Sequence, residues 1–388
     1  MLAVDPSALR VRNVIRVLEA IMNEERTSRT DIALKTGLTK TTVSSIVRQF
    51  MDIGFLDERK AFTERVGRPS LVLKLNPDFA CVAGLSIKRD GVDLCVIDSA
   101  KDLILEISRP FGENWDVERV LEEVFNALDE IVKEADSRGL VLKAIGIGTP
   151  GLVDPFTGVV KLSPKFDGFK DLPIVEIISK RYGLDAWLEN DSDMAAIGEK
   201  WFGEGKNIDT FAYIYVVEGI GMGVILNGEL LRGETGYTGE ISHLLVPTND
   251  GRKRLETVYG MDVLISRAKE LGVHVSSLSE LACKAEEKPE VKDLIVEFGE
   301  GIGMAIHSLI NLLGVSTVFI GGKAPQLGNV FLNAVKRTVV DNLFYPYDVD
   351  IRYSRLGSSV VALGAAGHAL EMYLQKLVVG RNNLEYVQ

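Results

Sequence analysis

Glu240 and His243 lie three residues apart in the run GETGYTGEISH (233–243), whose three glycines loosen the backbone. A carboxylate and an imidazole so placed can grip a polyhydroxylated ligand, bind a metal or exchange protons. They can equally form an ordinary solvated turn. The run follows two apolar segments, TFAYIYVV (210–217) and GMGVILNG (221–228), which predict paired strands. Residues 146–151, Asn190 with Asp191, and Gly321 with Gly322 fall at the carboxyl ends of further predicted strands. Ligands of open α/β sheets bind outside such ends.

The elements that must carry these residues form a mixed α/β body. Three consecutive strands are expected over 81–110, then a helix over about 115–137 capped at Asn114 or Asp116, with Val120, Val124, Leu128, Ile131 and Val132 on one face. A strand at 142–148 completes a first half. A second half is expected to begin near 186 with a short strand, 186–189. It continues with a helix (189–203, Ala195, Ala196, Ile197 and Trp201 inward) and the strand pair. Helices follow at about 257–271, 277–286 and 290–312, a strand at 316–322, a helix at 325–342, a strand at 349–354 and a last helix at 358–377.

Ahead of this body stands a head of different character. Residues 1–75 carry 13 Lys+Arg and 9 Asp+Glu of the chain's 44 and 55, so a basic head precedes an acidic body in a chain of net charge −11. Leu9, Val14, Val17, Leu18 and Ile21 give a first helical period. A short helix with Ile32, Ala33 and Leu34, capped by Ser28 or Thr30, leads through Gly37 into a helix capped by Thr39 that buries Val43, Ile46 and Val47. The spacing of Ala33, Gly37 and Val43 is that of a helix-turn-helix: a small residue where helices approach, a permissive φ, a branched apolar residue beneath. Thr39, Lys40, Thr41, Thr42, Ser44, Ser45 and Arg48 then make an exposed hydroxyl-and-base face suited to phosphates and base edges in a major groove. Strands opening at Phe55-Leu56 and closing at 72–76 frame a wing, with Arg65 and Arg68 near its tip in position to enter a minor groove. DNA is the partner these features predict. A protein-interaction module is the alternative.

Three scattered cysteines (Cys81, Cys95, Cys283) form neither a disulfide framework nor a metal pattern, and no apolar run is long enough to span a bilayer. A cytoplasmic setting without membrane partners is expected.

Over about residues 10–375 the chain resembles the ROK family (repressors, open reading frames and kinases) of actin-like sugar kinases. The body motifs are GIGTPGLVDPFTGVV (146–160), LENDSDMAAIGEKWFGEG (188–205), GIGMGVILNGELLRGETGYTGEISHLLV (219–246), LETVYG (255–260) and FIGG (319–322). The head resembles the winged helix-turn-helix of the repressor branch. The resemblance implies a winged helix-turn-helix domain (1–76) and a two-lobed actin-like body (77–388). Lobe one would be 77–185 plus the end of the chain from 358, and lobe two 186–357. It also implies a sugar in the interlobe cleft, and homodimers or homotetramers on an inverted-repeat operator. Pro150, Gly151, Asn190, Asp191, Glu240, His243 and Glu256 match sugar-contacting positions, and Asp191 matches the kinases' catalytic base.

The departures favour a regulator over a kinase. The family's Asp-x-Gly-Gly-Thr phosphate loop reads Ser86-Ile87-Lys88-Arg89-Asp90 here, and Gly-Thr-Gly-Ile-Gly reads Val217-Glu218-Gly219-Ile220-Gly221. A carboxylate beside phosphates costs on the order of 1 kcal/mol or more even in high dielectric. The zinc knuckle is replaced by LLVPTNDGRKR (244–254), so His243 alone cannot hold a structural zinc. The expectation is a sugar-responsive transcriptional repressor, not an enzyme, with no metal or cofactor. Asp191 would be a vestigial base. The alternative is an ATP-dependent sugar kinase carrying a DNA-binding head.

Overall fold

Short polar residues set the frame of the head. Ser28 accepts from the Asp31 amide while Asp31 accepts from the Ser28 amide, a reciprocal cap that starts the helix Arg29–Thr36. Gly37 ends it at φ 67°. Thr39 Oγ1 then accepts from the Thr42 amide at 3.1 Å and opens the helix Lys40–Asp52. With the first helix, Pro6–Met22, these bury Val14, Leu18, Ile32, Val43, Val47 and Phe50. Leu34, the third apolar residue of that helix, is 79% exposed. At 100° per residue the inward set Ile32, Ala33 and Thr36 leaves position 34 on the far side. The strands Leu56–Lys60 and Leu71–Leu75 pair antiparallel, from Leu56↔Leu75 to Lys60↔Leu71. The computed structural model describes residues 6–24, 26–60, 71–111, 116–163, 166 and 168–380. The expected wing tip, with Arg65 and Arg68, lies outside them.

The chain divides into two compact units, Met1–Asn190 with Val361–Gln388, and Asp191–Val360. In the first, the joint after the head is an ordered elbow. Asn76 Nδ2 donates to Gly54 O at 3.0 Å, and the Phe79 ring lies 5.7 Å from Phe55 and 6.5 Å from Tyr373. Lys101, held at φ 71°, places its ammonium on Met22 O at the end of the first helix. The five-stranded sheet of this unit has the order Asp185–Asn190, Leu142–Thr149, Cys81–Lys88, Gly91–Asp98, Leu103–Pro110. Its first three strands are parallel and the remaining pairs antiparallel. The strand expected to open the second half therefore closes the first. It hydrogen-bonds to Leu142–Thr149 from Asp185↔Ala144 to Asn190↔Thr149, so the change of unit falls after Asn190 rather than near 186. The helix Val117–Ser137, capped by Asp116, contributes Val120, Val124, Leu128 and Ile131 to the core beside this sheet. Val132, expected on the same inward face, is only half-buried.

The helix Val360–Val379 lies against two glycines of the sheet. A Cβ on Gly84 would stand 1.9 Å from Ala362 O, and one on Gly146 1.9 Å from Ala365 O. Both obstacles are backbone, so the helix itself would have to move. Gly84→Val is expected to lower stability by about 3 kcal/mol or more. A urea midpoint equal to that of the native chain would contradict this packing.

The second unit has the sheet order Glu229–Leu230, Ile220–Leu226, Phe211–Val216, Thr317–Gly322, Asp350–Tyr353. The first three strands form an antiparallel meander and the last three run parallel. The helix Asp191–Phe202 packs on the meander, where Gly221 and Gly223 leave room for Ser192 and Ala196. The helices Pro289–Leu313 and Gly328–Asp341 contribute Phe298, Ile302, Phe331 and Val335 to the main core. The single helix expected at 257–271 is two, Leu255–Tyr259 and Met261–Glu270, broken by Gly260 at φ −68°, ψ 152°. The run 244–254 holds a small hairpin, Leu245–Thr248 with Gly251–Arg254.

Candidate functional site

The residues singled out in the body gather in two groups, one in each unit. In the first, Asn190 at the end of its strand donates from Nδ2 to Gly151 O at 2.8 Å. Gly151 sits at φ 107°, and a Cβ there would stand 2.4 Å from Leu162 O, so this turn requires glycine. Pro150 lies half-buried beside it.

The second group centres on Asp191, the first residue of the helix Asp191–Phe202, whose Oδ1 accepts from the Ser192 amide at 2.8 Å. Its carboxyl is pushed from 3.8 up to about 6. Loss of water is the largest cause and the charges of Glu240 and Glu218 add to it, while the Ser192 amide opposes them. Glu240 is raised in turn, again by burial first; His243 pulls it down and Glu256 pushes it up. Asp191 is thus within electrostatic reach of Glu218 and Glu240, and Glu240 within reach of His243 and Glu256. The loop carrying Glu240 and His243 is pressed onto the sheet, since a Cβ on Gly239 (φ 95°) would stand 2.0 Å from Met222 O. Buried Ile241 anchors the 3-10 turn Ile241–His243 and leaves His243 exposed. A free solvated turn has no such anchors.

Asp191 holds its proton more tightly in the folded chain than in the unfolded one. The stability from this group is full below about pH 4 and is lost as pH rises through about 6. Asp191→Asn stays neutral throughout. It is expected to melt higher than the native chain at pH 8, by the equivalent of about 1–3 kcal/mol, and to match it near pH 4. An advantage of equal size at both pH values would show that ionisation is not the cause.

In the head, Thr39, Lys40, Thr41, Ser45 and Arg48 are exposed and Thr42 and Ser44 half-buried on one helix, with the Thr39 and Thr42 hydroxyls 2.9 Å apart. Among the described residues, no group of three or more His, Cys, Asp or Glu is placed to hold a metal.

The profile of the ROK family matches residues 82–371, three quarters of the chain. The chain belongs to the ROK family. Residues 12–57 match a winged helix-turn-helix DNA-binding domain. Among ROK relatives, the xylose repressor of Caldicellulosiruptor bescii is 27% identical over 378 residues, covering 92% of this chain and 94% of its own. The crystal structure of a ROK family transcriptional regulator, a homolog of E. coli MLC, covers 97% of this chain and all of its own (100%) at TM-score 0.79 and 23% identity. The ROK hexokinase of Thermus thermophilus is 30% identical, with TM-score 0.64, over 74% of this chain and 97% of its own.

The runs 86–90 and 217–221, which the resemblance matches to phosphate loops, each place one charge in an ion pair with a residue outside the run. Lys88 Nζ lies 2.6 Å from Asp93 Oδ2. Glu218 pairs with Lys323, whose own amide donates to Val216 O at 2.6 Å. Lys323 stands 105 residues from Glu218 along the chain, so no local pattern announces the pair.

Proposed function

We propose that this ROK protein is a sugar-responsive DNA-binding regulator. It represses carbohydrate-utilisation genes as a homodimer or homotetramer on an inverted-repeat operator. The observation that supports this reading is one chain with a helix-turn-helix, a carboxylate–imidazole group on the loop 233–243, and ion pairs at Lys88 and Glu218 in the two runs that depart from the family's phosphate motifs. Asp191, Glu240, His243 and Glu256, with Asn190 and the Pro150-Gly151 turn, take the hydroxyls of a mono- or small oligosaccharide. Hydrogen bonds to charged groups contribute about 1.5–3 kcal/mol each, so a few suffice for micromolar to millimolar sensing. A coupling of about 1–3 kcal/mol between sugar and operator then changes DNA affinity some 5–150-fold. Thermal-shift and calorimetric titration against monosaccharides and disaccharides, followed by operator binding with and without the active sugar, tests the reading. A panel in which no sugar binds would refute it.

One observation favours a second reading. Asp191, which the resemblance matches to the kinases' base, has its carboxyl raised to about 6, a value suited to taking a proton from a sugar hydroxyl. A coupled assay with ATP and the same sugars separates the two: no turnover is expected, and turnover abolished by Asp191→Asn would establish the kinase.

A further inference from the structure

The strand Asp185–Asn190 stands first in its sheet, so one of its edges has no strand beside it. Its side chains divide by face. Ala186 and Leu188 belong to the core that holds the helix Val117–Ser137. Asp185 and Trp187 point to the other face, the one the helix Val360–Val379 covers. Gly146, the register partner of Trp187, is the glycine set against Ala365 of that helix. There Asp185 forms an ion pair with Lys376. A cavity of about 500 Å³ opens beside the strand, lined by Asp185, Ala186, Trp187, Lys376 and Ser179, the last from the helix Ile174–Tyr182. Successive residues of a strand face opposite ways, so a space touched by both 185 and 186 runs along the free edge. Asn190, a candidate sugar contact, is at the strand's other end, about 17 Å away.

The lining selects a class of ligand. Lys376 and Asp185 cancel each other, so an ionic ligand must first break their pair. Hydroxyl groups both donate and accept, and can join ammonium and carboxylate together without separating them. The two side chains are only 18% and 28% exposed, so each lacks part of its water and gains from a hydroxyl that replaces it. The half-buried Trp187 brings a flat apolar surface suited to the C–H side of a sugar ring. Among the described residues, neither the Trp187 indole N–H nor the Ser179 hydroxyl has a partner. The volume falls within the range of about 300–1,000 Å³ usual for small-molecule sites.

We propose that this cavity is an accessory site for a neutral mono- or disaccharide, with Trp187 as its platform and Asp185, Lys376 and Ser179 as its polar contacts. It shares no residue with the sugar group described above, and the two fail separately. The test follows tryptophan fluorescence and heat on titration with D-glucose, D-xylose, cellobiose and xylobiose at millimolar concentration. The native chain is expected to take at least one of these sugars at two sites. Glu240→Ala should keep the weaker site with its change in emission. Trp187→Ala should weaken that site tenfold or more and keep the other. Ser179→Phe, which fills the cavity from the helix side, repeats the loss should Trp187→Ala fail to fold by circular dichroism. A single site abolished by Glu240→Ala overturns the accessory site and leaves the proposed function standing. A single site that Glu240→Ala spares and Trp187→Ala abolishes supports the cavity and overturns the sugar group around Glu240. A second site that folded Trp187→Ala and Ser179→Phe both leave intact overturns its placement here. A chain that binds none of the four sugars overturns it as well.

Discussion

Glu240→Ala is expected to weaken sugar binding by about 10–150-fold, the equivalent of one or two charge-assisted hydrogen bonds. A second effect of opposite sign accompanies it. Glu240 is one of the charges that raise Asp191, so its removal lets Asp191 ionise at lower pH. The sugar-free protein should therefore melt no lower than the native chain at pH 8, and its pH dependence should shift downward. Loss of ligand without loss of stability distinguishes a binding carboxylate from a structural one. Operator affinity without sugar should stay as it was. Calorimetry showing native sugar affinity in Glu240→Ala would place the effector elsewhere.

The second large effect belongs to the head. Lys40→Ala with Arg48→Ala is expected to lower operator affinity about 100-fold at moderate salt, because both cations stand exposed on the helix proposed to face DNA. The readouts separate their roles. A lost phosphate contact reduces the slope of log affinity against log salt by about 0.9, and a lost base contact relaxes discrimination between operator and mismatched sites. The sugar-induced thermal shift should be unchanged. Native anisotropy titrations in the double variant would remove this helix from the DNA interface.

Most of the head was legible because its signals are local. Ser28 with Asp31, Gly37, and Thr39 with Thr42 each act within four residues; the structure makes Ser28, of the two candidates Ser28 and Thr30, the first cap and places Gly37 and Thr39 in their expected roles. Leu34 shows the limit: in an eight-residue helix three adjacent apolar residues cannot all face inward. The body was legible as elements but not as sheets. Alternating apolar segments announced the strands, yet nothing in residues 185–190 says which strand they join, and pairing with Leu142–Thr149 moved them to the first unit. The hairpin 245–254 went unread because its polar residues follow no apolar alternation, and its second strand is Gly251–Arg254, wholly exposed.

By itself, the amino-acid order determined the family and the helix-turn-helix, since motifs and caps depend on neighbours a few residues away. Tertiary structure decided where the charges of the runs 86–90 and 217–221 are paired. Lys323 reaches Glu218 and Lys88 reaches Asp93 because strands bring their termini together. It also decided that Asp191 loses water first of all and then lies in the field of Glu240 and Glu218, which together raise its carboxyl. Charges act through space, and no spacing along the chain measures that distance.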